Sequence, residues 1–211
     1  EDNGYAEIEI GDVSYERKRG VIDYKGNIII NPQYDYVGIG DNDLFVVGFV
    51  DDDLYGYVNT KNEVVINPQF SWNGIFSEGY ACVQLNGDKW GVINEKGQYV
   101  INPVYDDIGY YSEKGIFSFD QDGKCGFINI KSEIVVPPIY DGCRDFNNGF
   151  AQVEQNGLLG FINYSGEVVI EPLYDYASYI WDNGNALVYI NDKFGIIDST
   201  GKYVLEPIYE D

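Results

Sequence analysis

The sequence predicts an all-β fold: a tandem repeat of six antiparallel meanders, each of about 35 residues. Three observations carry that prediction. Glycines recur at Gly20, Gly56, Gly91, Gly126, Gly160 and Gly195, spaced 34 to 36 residues apart. Twelve residues after each stands a proline, at Pro32, Pro68, Pro103, Pro138, Pro172 and Pro207, which accounts for six of the seven prolines. No window carries the i, i+3, i+4, i+7 apolar stripe of an amphipathic helix, and Gly or turn residues interrupt every segment.

Each repeat can be justified in chain order. A first strand alternates apolar and polar residues, as in "YACVQL" (Tyr80 to Leu85) or "FAQVEQ" (Phe150 to Gln155). A tight turn follows at Asn86-Gly87, Asp122-Gly123, Asn156-Gly157 and Asn191-Asp192. Asn-Gly between apolar runs is the strongest short hairpin signal. The second strand holds the anchor Gly, as in "WGVIN", at a point suited to close approach of another backbone. Three residues beyond the anchor come Asp23, Asn59, Asn94, Asn129, Asn163 and Asp198, which can bond the turn backbone through their side chains. Three further on, Gly26, Asn62, Gly97, Ser132, Gly166 and Gly201 form a column for positive φ, implying a type I turn with a Gly bulge. A third strand, such as "QYVIN", is expected to end at the proline, which cannot donate to a ladder. An aromatic residue follows two positions later, at Tyr34, Phe70, Tyr105, Tyr140, Tyr174 and Tyr209. The remaining connection has room for a short fourth strand and a loop.

Four short strands per repeat suit a compact propeller blade. The opening "EDNGYAEIEI" and closing "PIYED" read as complementary pieces of one unit. A propeller-like ring is therefore expected in preference to an open β-superhelix. The units are placed at 1–38, 39–74, 75–109, 110–144, 145–178 and 179–211 of a single repeat domain spanning 1–211. No single meander buries its own faces, so neighbours are expected to share a core.

The quoted columns, "KWGVINEKGQYVINPVYD" with "FSEGYACVQLNG" upstream, resemble the bacterial WG-containing β-repeat family. Only Trp90 supplies the eponymous Trp; Arg19, Tyr55, Cys125, Leu159 and Phe194 stand at the equivalent positions. The resemblance implies a bacterial source and a repeat or interaction domain, and it implies no catalytic residues.

Composition narrows the chemistry. The 211 residues are 45% hydrophobic and 16% aromatic, enough for a packed core. The formal net charge of −22 opposes nucleic acid and anionic lipid. No apolar run is long enough for membrane insertion as a helix. With no His, the Ser-His-Asp and Cys-His systems and His-built zinc sites are excluded. Cys82, Cys125 and Cys143 are odd in number and read as small buried residues, not a disulfide framework. The acidic runs "DND" (Asp41 to Asp43), "DDD" (Asp51 to Asp53) and "DQDG" (Asp120 to Gly123) lack the pattern of a calcium loop and are explained by turn chemistry. Asp35, Asp106, Asp141 and Asp175 repeat after the aromatic and read as structural. No catalytic residue, metal site or cofactor is therefore expected.

A unique site in a repeat protein should lie where the copies differ. Trp72 occupies a column held elsewhere by Tyr36, Asp107, Gly142 and Tyr176, and Trp181 has no Trp counterpart. Tyr110, Tyr111, Tyr179 and the rare cation Arg144 fall in the same variable connection. Exposed Tyr and Trp offer rigid, amphipathic contact area for sugars and peptides; the competing reading places these rings in the core. Arg144 is expected to pair with a neighbouring carboxylate. The function expected is a non-catalytic binding or scaffold module that recognises a protein or glycan partner. The alternatives are a carbohydrate-active enzyme with a carboxylate pair and a passive spacer in a surface protein. Acidity, Tyr/Asn/Gly richness and few Cys suit a secreted or cell-surface location, with the cytoplasm as alternative.

Overall fold

The structure is a computed structural model that describes residues 4–12, 17–40, 42–49, 53–85, 89–110 and 112–209. The described residues contain strands and turns, with no helix. None of them forms a helix long and apolar enough to cross a membrane.

The chain divides into two compact units, Glu1–Val104 and Tyr105–Asp211. In the first unit, β1 (Tyr5–Ile10), β2 (Lys18–Asp23) and β3 (Ile28–Tyr34) form a three-stranded sheet. The second sheet holds β4 (Tyr36–Ile39), β5 (Leu44–Phe49), β6 (Leu54–Asn59) and β7 (Val64–Phe70). The third holds β8 (Trp72–Asn73), β9 (Tyr80–Leu85), β10 (Lys89–Asn94) and β11 (Tyr99–Tyr105). In the second unit, β12 (Asp107–Ile108), β13 (Ile116–Gln121), β14 (Lys124–Asn129) and β15 (Ile134–Tyr140) make the fourth sheet. The fifth is β16 (Gly142–Cys143), β17 (Phe150–Gln155), β18 (Leu158–Asn163) and β19 (Val168–Tyr174). The sixth is β20 (Tyr176–Ala177), β21 (Asn185–Ile190), β22 (Lys193–Asp198) and β23 (Tyr203–Tyr209). Every sheet is an antiparallel meander, and from the second sheet onward the short strand after the Pro leads the next sheet.

The repeated columns fold as their chemistry requires. In all six repeats the Asn or Asp after the anchor accepts from the backbone N–H groups two and four residues on, at 2.8 to 3.1 Å. The turn's fourth residue has φ between 60° and 82° in every copy, Asn62 and Ser132 included. Asp122-Gly123, Asn156-Gly157 and Asn191-Asp192 all have positive φ at both positions, as a two-residue hairpin turn demands. Asn86-Gly87 lies outside the described residues.

The proline corrects one expectation, because the third strand runs through it to the aromatic residue. The register jumps at that point in the first, second, fourth, fifth and sixth sheets. Pro is tolerated because a bulge frees it from the ladder. The anchor Gly lies beneath this bulge. A Cβ there would come within 3.0 Å of the carbonyl oxygen ten residues on, and at Gly20, Gly56, Gly91 and Gly160 also of the Pro nitrogen. The constant twelve-residue offset is thus one steric arrangement, and the two residues are needed together.

Neighbouring sheets share their cores. In the first unit, Val21, Ile30 and Tyr34 of the first sheet pack on Val37, Phe45, Val47 and Val58 of the second. Tyr57, Ile66 and Phe70 then pack on Phe76, Ala81, Val83 and Ile93 of the third. In the second unit, Phe127, Val136 and Tyr140 pack on Phe146, Ala151, Val153 and Ile162. Phe161, Ile170 and Tyr174 pack on Ile180, Ala186, Val188 and Ile197. The same columns meet each time.

The cysteines correct another expectation. Cys125 on β14 and Cys143 on β16 form a disulfide that ties the fourth sheet to the fifth, and Cys82 is buried and takes part in no disulfide. The two partners occupy columns brought face to face by stacking of adjacent repeats, a relation that spacing alone does not display.

Candidate functional site

The second unit contains a cavity of about 260 Å³ that draws on all three of its sheets. Three of the residues singled out from sequence line it: Tyr110, Arg144 and Tyr179. Tyr110, Asp145 and Tyr179 each stand seven residues after their repeat's Pro, so stacking sets three equivalent connections side by side. The first unit has Ile39 and Ile75 at those positions, which gives it no polar counterpart. Each connection is held to its own sheet by a backbone bond: Gly109 N–H to Ser118 O at 2.9 Å, Arg144 N–H to Gln152 O at 3.0 Å, and Ser178 N–H to Leu187 O at 2.8 Å.

The cavity exists because rings are missing. In the second sheet Tyr36 and Tyr55 both oppose Gly48 and meet edge-on at 5.4 Å. In the third, Trp72 and Trp90 both oppose Gln84 and meet at 4.8 Å. The fourth sheet places Asp107 and Cys125 opposite Asp120 instead. Two small side chains replace two rings, and Cys125 is drawn toward Cys143, which also lines the cavity.

The polar groups are specifically placed. Asp145, from the fifth sheet, accepts a 2.6 Å hydrogen bond from the Ser118 hydroxyl of the fourth. It crosses Gly109 to do so, where any Cβ would collide with its carboxylate. The Asp107 carboxylate accepts from the Ile108 N–H at 2.8 Å. Desolvation raises the Asp120 carboxyl pKa above its ordinary value, and the negative charges of Asp107 and Asp106 push it further the same way. The Arg144 guanidinium lies over the Tyr179 ring, 5.6 Å from its centroid. Among the described residues Arg144 makes no ion pair, so the expected carboxylate partner is replaced by an aromatic face. Its other side borders a second cavity of about 260 Å³, with Gln152, Glu154 and Leu159. Gln152, a buried polar residue, is satisfied by donating to Ala177 O at 2.8 Å.

Tyr110 and Tyr179 are 47% and 43% exposed, so both rings face solvent instead of filling the core. The other sequence candidates fall elsewhere. Trp72 is half-buried on β8 in the first unit, packed against Trp90. Trp181 is exposed, two residues beyond Tyr179, and does not line the cavity. Tyr111 lies outside the described residues. Sequence reasoning missed Asp107, Ser118, Asp120 and Asp145. The signal was available for Asp145, the only acid in a column of Tyr and Ile, and for Asp107, which stands among Tyr36, Trp72, Gly142 and Tyr176. Among the described residues no group of three or more His, Cys, Asp or Glu side chains is placed to hold a metal ion.

Fold and site together define a tandem-repeat β-protein whose antiparallel sheets stack on shared cores within each unit, with a polar cavity in the second unit where the repeats diverge. Residues 20–47, 55–88, 90–125, 126–158, 160–194 and 194–211 match the WG containing repeat, and the chain belongs to that family. No curated protein matches it. Solved structures with a similar fold are propeller-like. A eukaryotic initiation factor is 15% identical with a TM-score of 0.55, the match covering 89% of this chain and 60% of that one. Kluyveromyces lactis Hsv2 with its complete loop 6CD is 10% identical with a TM-score of 0.53, covering 90% and 71%. The computationally designed Ika8 protein is 10% identical with a TM-score of 0.51, covering 89% and 67%. The chain thus spans less than two thirds of the initiation factor. At these identities the likeness is one of fold alone.

Proposed function

We propose that this protein is a non-catalytic recognition module whose cavity in the second unit binds a glycan partner. The observation that carries the reading is the convergence of Tyr110, Arg144 and Tyr179 from three consecutive repeats on one cavity of about 260 Å³. Exposed tyrosine rings offer apolar faces to the C–H side of a sugar ring. The carboxylates of Asp107, Asp120 and Asp145 accept from sugar hydroxyls, and Arg144 donates to them. The rigid sheets hold these groups without the ordering cost of a flexible loop. The Cys125–Cys143 disulfide supports a secreted or cell-surface location, since such bonds persist in oxidising surroundings.

A glycan array run beside a peptide array tests this. The expected result is binding confined to a set of glycans and reduced at least about tenfold by Tyr179→Ala, the scale of one lost hot-spot ring. Binding to peptides only transfers the site to a protein partner. Binding of neither class overturns the proposal. A second reading is favoured by one observation: the Asp107 and Asp120 carboxyls face each other across paired strands, with the Asp120 pKa raised. Glycoside hydrolysis uses a pair of carboxyls, one of them a general acid whose pKa is raised. Turnover of a bound glycan, lost in Asp120→Asn, would establish an enzyme in place of a binding module.

A further inference from the structure

The second cavity of the second unit is the first one moved along the chain by one repeat. From the fourth sheet, Asp107, Ser118 and Asp120 line the first cavity. From the fifth sheet, Gly142, Gln152 and Glu154 line the second. These are the same three columns. Asp107 and Gly142 each stand four residues after their repeat's Pro, and Ser118 and Gln152 each stand two residues before the acid. Asp107 pairs across the strands with Asp120, as Gly142 does with Glu154.

The second, third and sixth sheets fill these columns differently. The sixth sets Tyr176 and Phe194 opposite Tyr189, as the second and third set their ring pairs opposite Gly48 and Gln84. The fifth sets Gly142 and Leu159 opposite Glu154 instead. The column of Ser118 and Gln152 holds Val46, Cys82 and Leu187 in those three sheets. Two consecutive repeats have thus lost their rings and gained polar groups at the same places. Cys143 and Arg144 line both cavities and form the wall between them. At about 260 Å³, each cavity falls short of the roughly 300 to 1,000 Å³ of ordinary ligand pockets, and joined across Arg144 they reach that range.

We infer that the two cavities are successive subsites of one groove, and that its ligand is a chain of repeating sugars without acidic groups, bound across Arg144. The inference rests on the glycan reading above and adds the ligand's length and charge. A site copied by one repeat suits a ligand that itself repeats, because equivalent groups then meet equivalent hydroxyls. The second subsite has a fixed polar floor: Gln152 is 4% exposed and its amide donates to Ala177 O at 2.8 Å. Arg144, backed by the Tyr179 ring, reaches sugar hydroxyls on either side. It is the one cation in either lining, against Asp107, Asp120 and Asp145 in the first cavity and Glu154 in the second. A chain with a carboxylate or phosphate on each sugar would meet like charge at both subsites, which disfavours it.

Titration calorimetry with cello-oligosaccharides and chitosan oligosaccharides of increasing length, starting from the single sugar, tests the inference, with oligogalacturonides as the acidic series. Affinity should rise at least about tenfold from the single sugar to the longer members and then level off, since one molecule engages both subsites. Oligogalacturonides should bind more weakly at every length. Gly142→Leu fills the second cavity at a position that holds Tyr36, Trp72 and Tyr176 in other repeats. The nearest atoms to a Cβ there belong to the Glu154 side chain, whose carboxylate is 3.2 Å away and can swing aside. The substitution should bring the longer members down to the level of the single sugar. Glu154→Ala, which removes a polar group from the second cavity without filling it, should also flatten the rise, so the test does not depend on one variant folding. Binding that ignores length, a rise that survives both substitutions, or a preference for the acidic series overturns this inference and leaves the glycan reading standing. Failure of all three series to bind overturns both.

Discussion

Removing the Cys125–Cys143 bond should cost the second unit a calculable amount of stability. The bond closes a loop of sequence separation 18 between β14 and β16. In the loop-entropy treatment a closure of that length contributes about 3 kcal/mol at 25 °C. Cys125 is only 2% exposed, so trimming it to Ala adds a small packing loss to that figure. With a urea slope of about 2 to 3 kcal/mol per molar, the midpoint should fall by about 1 M or slightly more. The assay is urea unfolding of the Cys125→Ala/Cys143→Ala variant beside the oxidised parent, followed by circular dichroism. Hydrogen exchange then locates the loss. It should concentrate in 107–174, where the bond joins two sheets, and leave the first unit's protection unchanged. Glycan binding at the proposed site should weaken as well, because Cys143 directly precedes Arg144 and fixes where the chain presents it. Equal midpoints for the two proteins would refute the reasoning, since the cross-link would then add nothing to sheets already held by packing.

Two further outcomes are expected. Ser132 sits at φ 61° in a column that is Gly in four of the other five repeats, so Ser132→Gly should stabilise by about 0.5 to 1 kcal/mol, and thermal unfolding that shows a loss would contradict the turn analysis. Asp120→Asn should stabilise the protein at pH 7. A carboxyl whose pKa is raised by folding destabilises the native state above that raised value. The penalty disappears as pH falls below the ordinary 3.8, so the variant's advantage should vanish there, as a pH series of unfolding midpoints would reveal.

Much of the fold was legible because each repeat solves the same local problem. The Asn or Asp and the positive-φ residue three positions later define a turn from short-range chemistry alone, and all six copies form it. The anchor Gly and the Pro were legible as a pair, but their joint cause was not. It is a bulge that seats the Pro against the glycine across two strands, and a linear pattern shows only the offset. The disulfide was hidden for a related reason. Cys125 stands in the column that names the family's Trp, and Cys143 stands five residues after a Pro. Nothing in a single repeat shows that these columns touch in adjacent sheets. The site was half legible. Tyr110, Arg144 and Tyr179 were found by asking where copies differ, whereas Asp107 was noted only as a member of the column that holds Trp72, and Asp120 was read as a turn carboxylate. The cavity they line opens because Asp107 and Cys125 replace two rings, which requires knowing that the equivalent Trp72 and Trp90 meet over one strand.

The whole account rests on cores that belong to pairs of sheets and not to any single one. The fifth sheet makes the cleanest case, because its neighbours on both sides lie in the same unit. Circular dichroism and hydrogen exchange on the isolated segment 142–174, beside the second unit 105–211, test this directly. The segment alone should lack strand signal and protection, because Phe161, Ile170 and Tyr174 lose the sixth sheet and Ala151, Val153 and Ile162 lose the fourth. A segment that unfolds cooperatively and protects its own amides would contradict the account.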